Sequence, residues 1–145
     1  IKNVIKLKKI IKKLIYDNDF IFIHLPLPHS PWIYKDGKIT SENINQLDQS
    51  EKNYSNNMMF TDIFFGEIIK ELKEKKIYDS STIIISSDHS WRNSKNYVSP
   101  RKYPNTYDDN IVLIVKNKNQ DQGTKIEKQT FLHDIFKIIE QVSND

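Results

Sequence analysis

The sequence has 145 residues, a formal net charge of +3 and no cysteine. That length holds about one domain with a single core, and the missing thiols exclude a disulfide framework and any cysteine-ligated zinc site. Apart from one cluster at Lys2 to Lys13, the basic residues are spread over helix faces, linkers and turns instead of being gathered on one surface among aromatics, which argues against a nucleic-acid partner.

In chain order, Val4, Leu7, Ile11, Leu14 and Ile15 recur at helical spacing and predict a helix over residues 2–15. Lys6, Lys9, Lys12 and Lys13 fall mostly elsewhere on that cylinder, so it reads as a surface helix with its apolar stripe on the core. The alternative for such a basic amphipathic helix is an anionic membrane or a partner. Asp17-Asn18-Asp19 ends it. Phe20-Ile21-Phe22-Ile23 then predicts a first buried-type strand, with His24 at its terminus. Pro26, Pro28 and Pro31 cannot continue a central strand, which puts His29 on a stiff loop just past the strand end. A single histidine beside a core strand is ordinarily structural, and that reading stands for His24. Residues 35–53 are polar and without periodicity, a surface excursion that carries no ligand cluster.

Residues 54–76 predict the strongest helix, with Met58, Phe65, Ile68, Ile69 and Leu72 as its core stripe. Gly66 reads as a point of close helix packing, and Asp62, in mid-helix, as a supporting or structural acceptor in preference to a catalytic residue. Thr82-Ile83-Ile84-Ile85-Ser86 is a β-branched run apolar on successive residues, the pattern of a strand covered on both faces. Asp88 and His89 follow it side by side. In open α/β sheets the functional crevice lies at the carboxyl ends of the strands. An anionic oxygen beside a neutral imidazole nitrogen suits Zn²⁺ or Mn²⁺. The plain alternative is that Asp88 caps a turn and His89 is an ordinary loop residue. Arg92, four residues past Asp88, is either a bidentate fork for an anionic group or one half of a surface ion pair. Residues 93–110 are irregular, and Ile111 to Val115 form the third predicted strand. Thr130 is a suitable N-cap for a last helix lined by Phe131, Ile135, Ile138 and Val142, with His133 a surface or capping residue in its first turn. Helices alternating with doubly covered strands predict an α/β fold, a three-layer α/β/α sandwich.

The segment from Tyr78 to His89 resembles the metal-binding segment of the alkaline phosphatase superfamily, within it the sulfatase-like hydrolases and transferases. There a short polar turn, a buried strand and then Ser-Asp-His-Gly come in this order. Two further stretches share the resemblance. Tyr54, Asn56, Asp62, Gly66 and Leu72 match the helix before the metal strand, and His24 to Pro31 is similar to the family's "L-H-x-x-x-S-H-x-P" loop. The resemblance spans roughly residues 16–142 and implies that residues 1–145 are the C-terminal portion of one sulfatase-like catalytic domain. The first residue is Ile1, so a longer parent is expected, and the sandwich here would be incomplete. Asp88 and His89 would be ligands of one divalent metal, zinc or manganese in preference to calcium. His29 would contact the transferred group, with His24 supporting and Arg92 binding the anion. The substrate would be an anionic sulfate or phosphate ester.

The residues do not name a compartment; the resemblance favours the cell envelope, with membrane association only through other parts of the parent chain. Ser90 stands where the family has Gly, and Asn110 precedes the third strand where many members have His. The nucleophile belongs to the family's earlier half, so the piece alone is expected to be inactive. A non-catalytic remnant or binding module retaining the fold is the second reading.

Overall fold

Periodicity and β-branching place most elements where the chain makes them. In the computed structural model, which describes residues 2–35, 38–39, 51–91, 111–128 and 130–143, the elements are α1 (Lys2–Asp17), β1 (Tyr34–Lys35), β2 (Lys38–Ile39), α2 (Glu51–Glu74), β3 (Ile83–Ser86), β4 (Leu113–Lys116) and α3 (Asp134–Ser143). The chain divides into two compact units, Ile1–Tyr78 and Asp79–Asp145. Helices with small antiparallel sheets fit an α/β fold. No helix among the described residues is long and apolar enough to cross a membrane. Arg92 and Asn110 lie outside the described residues.

In the first unit α1 packs on α2. Ile11 is buried, whereas Leu14, expected in the same stripe, is exposed together with Ile10. Lys12 and Glu71 form an ion pair at this contact, and that carboxylate holds the Lys12 ammonium above its ordinary value. Glu71 is a buried charge, and pairing is what makes such burial tolerable. Asn18 Nδ2 donates to Leu14 O at 3.0 Å, satisfying one of the last carbonyls of α1 where the Asp-Asn-Asp run stops it.

The buried line of α2 is not the predicted one. Met58 is exposed, Phe65, Ile68 and Ile69 are half-buried, and of that stripe Leu72 alone is buried. The line runs instead through Asn53, Asn57, Phe60, Thr61 and Phe64, again at helical spacing. The cause lies outside the helix, in the segment that ends in Tyr34 and docks on this side. Tyr34 N–H donates to Asn57 Oδ1 at 3.2 Å, and Asn57 Nδ2 donates to Tyr34 O at 3.1 Å and to Asn53 O at 2.8 Å. The carboxamide thus stands in for a strand partner, and the Tyr34 ring stacks on Phe60 at 4.8 Å. Phe64 is the most deeply buried large side chain described, 1 % exposed.

At the far end of α2, Lys76 takes a left-handed φ of 59°. Lys76 N–H donates to Lys73 O and Ile77 N–H to Leu72 O, the paired bonds of a Schellman cap. Gly66 faces open space, so it is not a point of close packing.

The strand predicted at Phe20–Ile23 does not form. The segment has no strand partner among the described residues, and Phe20 and Phe22 are 66 % and 81 % exposed. An extended run satisfies its backbone only in a ladder, and β-propensity cannot supply the second strand. Nearby, β1 and β2 make a short antiparallel pair with Tyr34 opposite Ile39.

In the second unit β3 and β4 pair antiparallel, Ile83 opposite Lys116 and Ser86 opposite Leu113. Thr82 falls just before β3, and β4 begins two residues later than predicted. The apolar residues of β3 are half-buried, so the doubly covered strand expected from the run of isoleucines is not what these residues build. Lys116 Nζ donates to Asp79 O and Ser81 O at 2.9 and 2.8 Å, tying the entry to β3 onto β4.

The last helix starts later than Thr130, whose hydroxyl turns back to Lys128 O instead of capping. Asp134 Oδ2 accepts the Phe131 N–H at 3.0 Å, which ties down the turn leading into α3. His133 is exposed in the turn just before α3, as a surface residue should be.

Candidate functional site

A stiff apolar strand ends at Ser86, and hydroxyls hold the turn beyond it. Ser86 Oγ–H donates across the ladder to Val112 O at 3.0 Å, fixing the end of β3 against its partner. Ser87 Oγ–H donates to His89 O at 2.7 Å, closing a tight turn in which Asp88 is outermost. The Asp88 side chain is 74 % exposed and that of His89 is 29 % exposed.

His89 Nδ1–H donates to Ser90 O at 2.7 Å. A carbonyl can only accept, so the neutral ring carries its proton on Nδ1 and its lone pair on Nε2. That Nε2 stands 3.9 Å from Asp88 Oδ1. A carboxylate oxygen and an imidazole lone pair are thus presented together at one strand end, with the ring oriented by a backbone carbonyl behind it. This is the arrangement that makes histidine a good metal ligand. It fits a divalent ion as part of a ligand set. Among the described residues no three His, Cys, Asp or Glu side chains converge, so these two residues form a pair and not a closed site. Ser90, despite standing where a glycine was expected, avoids the left-handed region; among described non-glycine residues Lys76 and Asn119 occupy it.

His29 belongs to the first unit. Its Nδ1–H donates to Ser30 O at 2.6 Å, which again leaves the lone pair on Nε2. The ring is exposed, and so is His24, which loses the strand terminus it was expected to occupy. The loop around His29 is nevertheless anchored. Trp32, 3 % exposed, donates its indole N–H to Pro28 O at 2.9 Å and meets the Tyr54 ring edge-on at 5.7 Å. Burial pushes the Tyr54 phenol above its ordinary value. Two residues beyond Trp32 comes the Tyr34 backbone held by Asn57.

The structure therefore brings Asp88 and His89 together in one unit and places His29 and His24 on a loop in the other. Arg92 falls outside the described residues. Sequence reasoning missed Trp32, Asn57 and Tyr54 as supports of the His29 loop. One signal was present: Asn53 and Asn57 are polar residues at core spacing with Phe60, Thr61 and Phe64, the mark of a helix face that binds backbone.

No curated protein and no solved structure matches the chain. The family model described as Sulfatase matches residues 4–141, nearly the whole sequence and both units. It takes in the strand-turn that carries Asp88 and His89, the His29 loop and the helix between them. The chain belongs to the sulfatase family.

Proposed function

We propose that the chain is the later part of one catalytic domain, a three-layer α/β/α sandwich when complete, of a metal-dependent hydrolase or transferase of sulfate or phosphate esters. Membership of the sulfatase family supports ester hydrolysis as the reaction class. The observation that carries the reading further is the His89 ring. Its Nδ1–H is committed to Ser90 O, so Nε2, 3.9 Å from Asp88 Oδ1, keeps a lone pair for a metal. Asp88 and His89 are two ligands of one divalent metal, zinc or manganese. When bound, that metal supplies Lewis-acid stabilisation of charge developing on the ester oxygens.

The remaining work falls to side chains. His29 contacts the transferred group through Nε2. Protonated there, it gives that proton to the leaving oxygen, and the neutral ring left behind keeps Nδ1–H on Ser30 O, the form observed. Arg92 grips the anionic group as a fork, and His24 supports the loop.

The test is His89→Ala in the full-length protein, measuring bound metal and the hydrolysis of p-nitrophenyl sulfate and p-nitrophenyl phosphate. Metal and turnover should fall together, turnover by about 100-fold or more. A variant that keeps both removes the ligand assignment. A wild-type protein that binds metal but turns over neither ester supports the non-catalytic remnant instead.

A further inference from the structure

We infer that Trp32 and Asn57 are positioning residues for His29, a buried clamp that sets where the imidazole stands and which of its nitrogens faces outward. The inference rests on the role proposed above for His29.

The loop that carries His29 has no regular hydrogen bonding of its own. Residues 18–33 contain neither helix nor strand, and the prolines at 26, 28 and 31 remove three backbone donors. Such a segment takes its conformation from the groups it is tied to. Two ties are present, one on each side of Ser30-Pro31. Upstream, the Trp32 indole N–H holds Pro28 O, the carbonyl directly preceding His29, at 2.9 Å. Downstream, Asn57 holds both backbone groups of Tyr34, at 3.2 and 3.1 Å.

Both anchors are rigid. Asn57 is 2 % exposed, and its second amide hydrogen goes to Asn53 O one turn earlier, so the carboxamide cannot rotate without leaving a buried group unpaired. Thr61 Oγ–H donates to Asn57 O at 2.8 Å, extending the polar line along the same helix face. Trp32 is wedged edge-on against Tyr54, and Tyr34 is stacked on Phe60. Seven residues, 28 to 34, therefore span between the two pinned points, and His29 lies inside that span.

The tautomer is a consequence of this clamp. His29 Nδ1–H reaches Ser30 O at 2.6 Å because the backbone between 28 and 32 is held in a shape that turns the Ser30 carbonyl back onto the ring. A loop released from either anchor has no reason to keep that carbonyl in place. The ring then reverts to the mixture of tautomers of a free imidazole, and Nε2 no longer presents a fixed lone pair or proton. Misplacement of a reacting group by about 1 Å costs on the order of 100-fold in rate, so the effect belongs in kcat.

Trp32→Phe is the sharper variant, since it keeps an aromatic ring at the buried position beside Tyr54 and deletes the donor to Pro28 O along with part of the indole. Asn57→Ala removes the second anchor. Each is made in full-length protein with ¹⁵N-labelled histidine, and the ring nitrogens are read by NMR alongside kcat and KM for the better of the two p-nitrophenyl esters. The expected result is loss of the Nδ1–H form at His29, an unchanged His89 ring, and a kcat lower by about 10- to 100-fold with a smaller change in KM. A folded Trp32→Phe that keeps the Nδ1–H form of His29, or keeps wild-type kcat while His29→Ala loses it, overturns the inference. If Asn57→Ala fails to fold, Trp32→Phe decides alone. If His29→Ala itself keeps full kcat, the role of His29 is what fails, and the ring signals separate that outcome from an intact clamp.

Discussion

His29 and His89 wear the same hydrogen bond on differently supported backbones. In each, Nδ1–H donates to the carbonyl of the next residue, at 2.6 and 2.7 Å, and Nε2 keeps the lone pair. The supports differ. The His29 loop is pinned to α2 through Asn57, 23 residues beyond Tyr34, and through the buried Trp32 ring. The His89 turn is held by its own Ser87 hydroxyl and by one bond across the ladder from Ser86 to Val112. In both, the adjacent carbonyl selects the tautomer, and what differs is the set of contacts that holds that carbonyl in place. One site depends on a helical core, the other on a short ribbon.

The largest effect is expected from Phe64→Ala, which empties the best-buried position of the first unit. Large-to-small changes at such sites cost about 3–5 kcal/mol. Urea unfolding should show that loss, and the His29 ring should change at denaturant concentrations where His89 does not. Simultaneous loss of both signals would mean that the two supports are not separate. A smaller perturbation sharpens the other arm. Ser86→Ala deletes the hydroxyl bond to Val112 O, worth about 1 kcal/mol. It should alter the His89 and Asp88 signals and leave His29 untouched.

The smallest effect concerns the second unit alone. Lys137, and then the Phe131 N–H, hold the Asp134 carboxyl below its ordinary value. A depressed carboxylate contributes stability that is present above its unfolded value and is lost as pH falls through its folded one. Helicity of α3 should therefore decline as pH drops below the ordinary carboxylate range, and Asp134→Asn should flatten that decline. Circular dichroism against pH reads it, and added salt should weaken it because the pair is at the surface.

Much of this is legible in the residues alone, and the reasons differ by element. The 3.6-residue pattern locates α1 and α2 because helical hydrogen bonds are satisfied within the segment. The run Thr82 to Ser86 locates β3, with Asp88-His89 at the strand's end. Phe20–Ile23 has the same composition as a strand and forms none, since a ladder needs a second strand that composition does not name. The buried side of α2 is misplaced for a related reason. Apolar spacing points to Met58 and Phe65, but a carboxamide that captures the Tyr34 backbone draws Asn53, Asn57 and Phe64 inward instead.

The helices, the β3 strand and the adjacency of Asp88 and His89 are local properties of the chain, because they depend on residues within a few positions of one another. Tertiary structure decided which face of α2 is buried, that Phe20–Ile23 is not a strand, and that Trp32 and Asn57 clamp the His29 loop. Those outcomes depend on where distant backbone groups find their hydrogen bonds, and buried donors and acceptors must be paired wherever the chain happens to bring a partner.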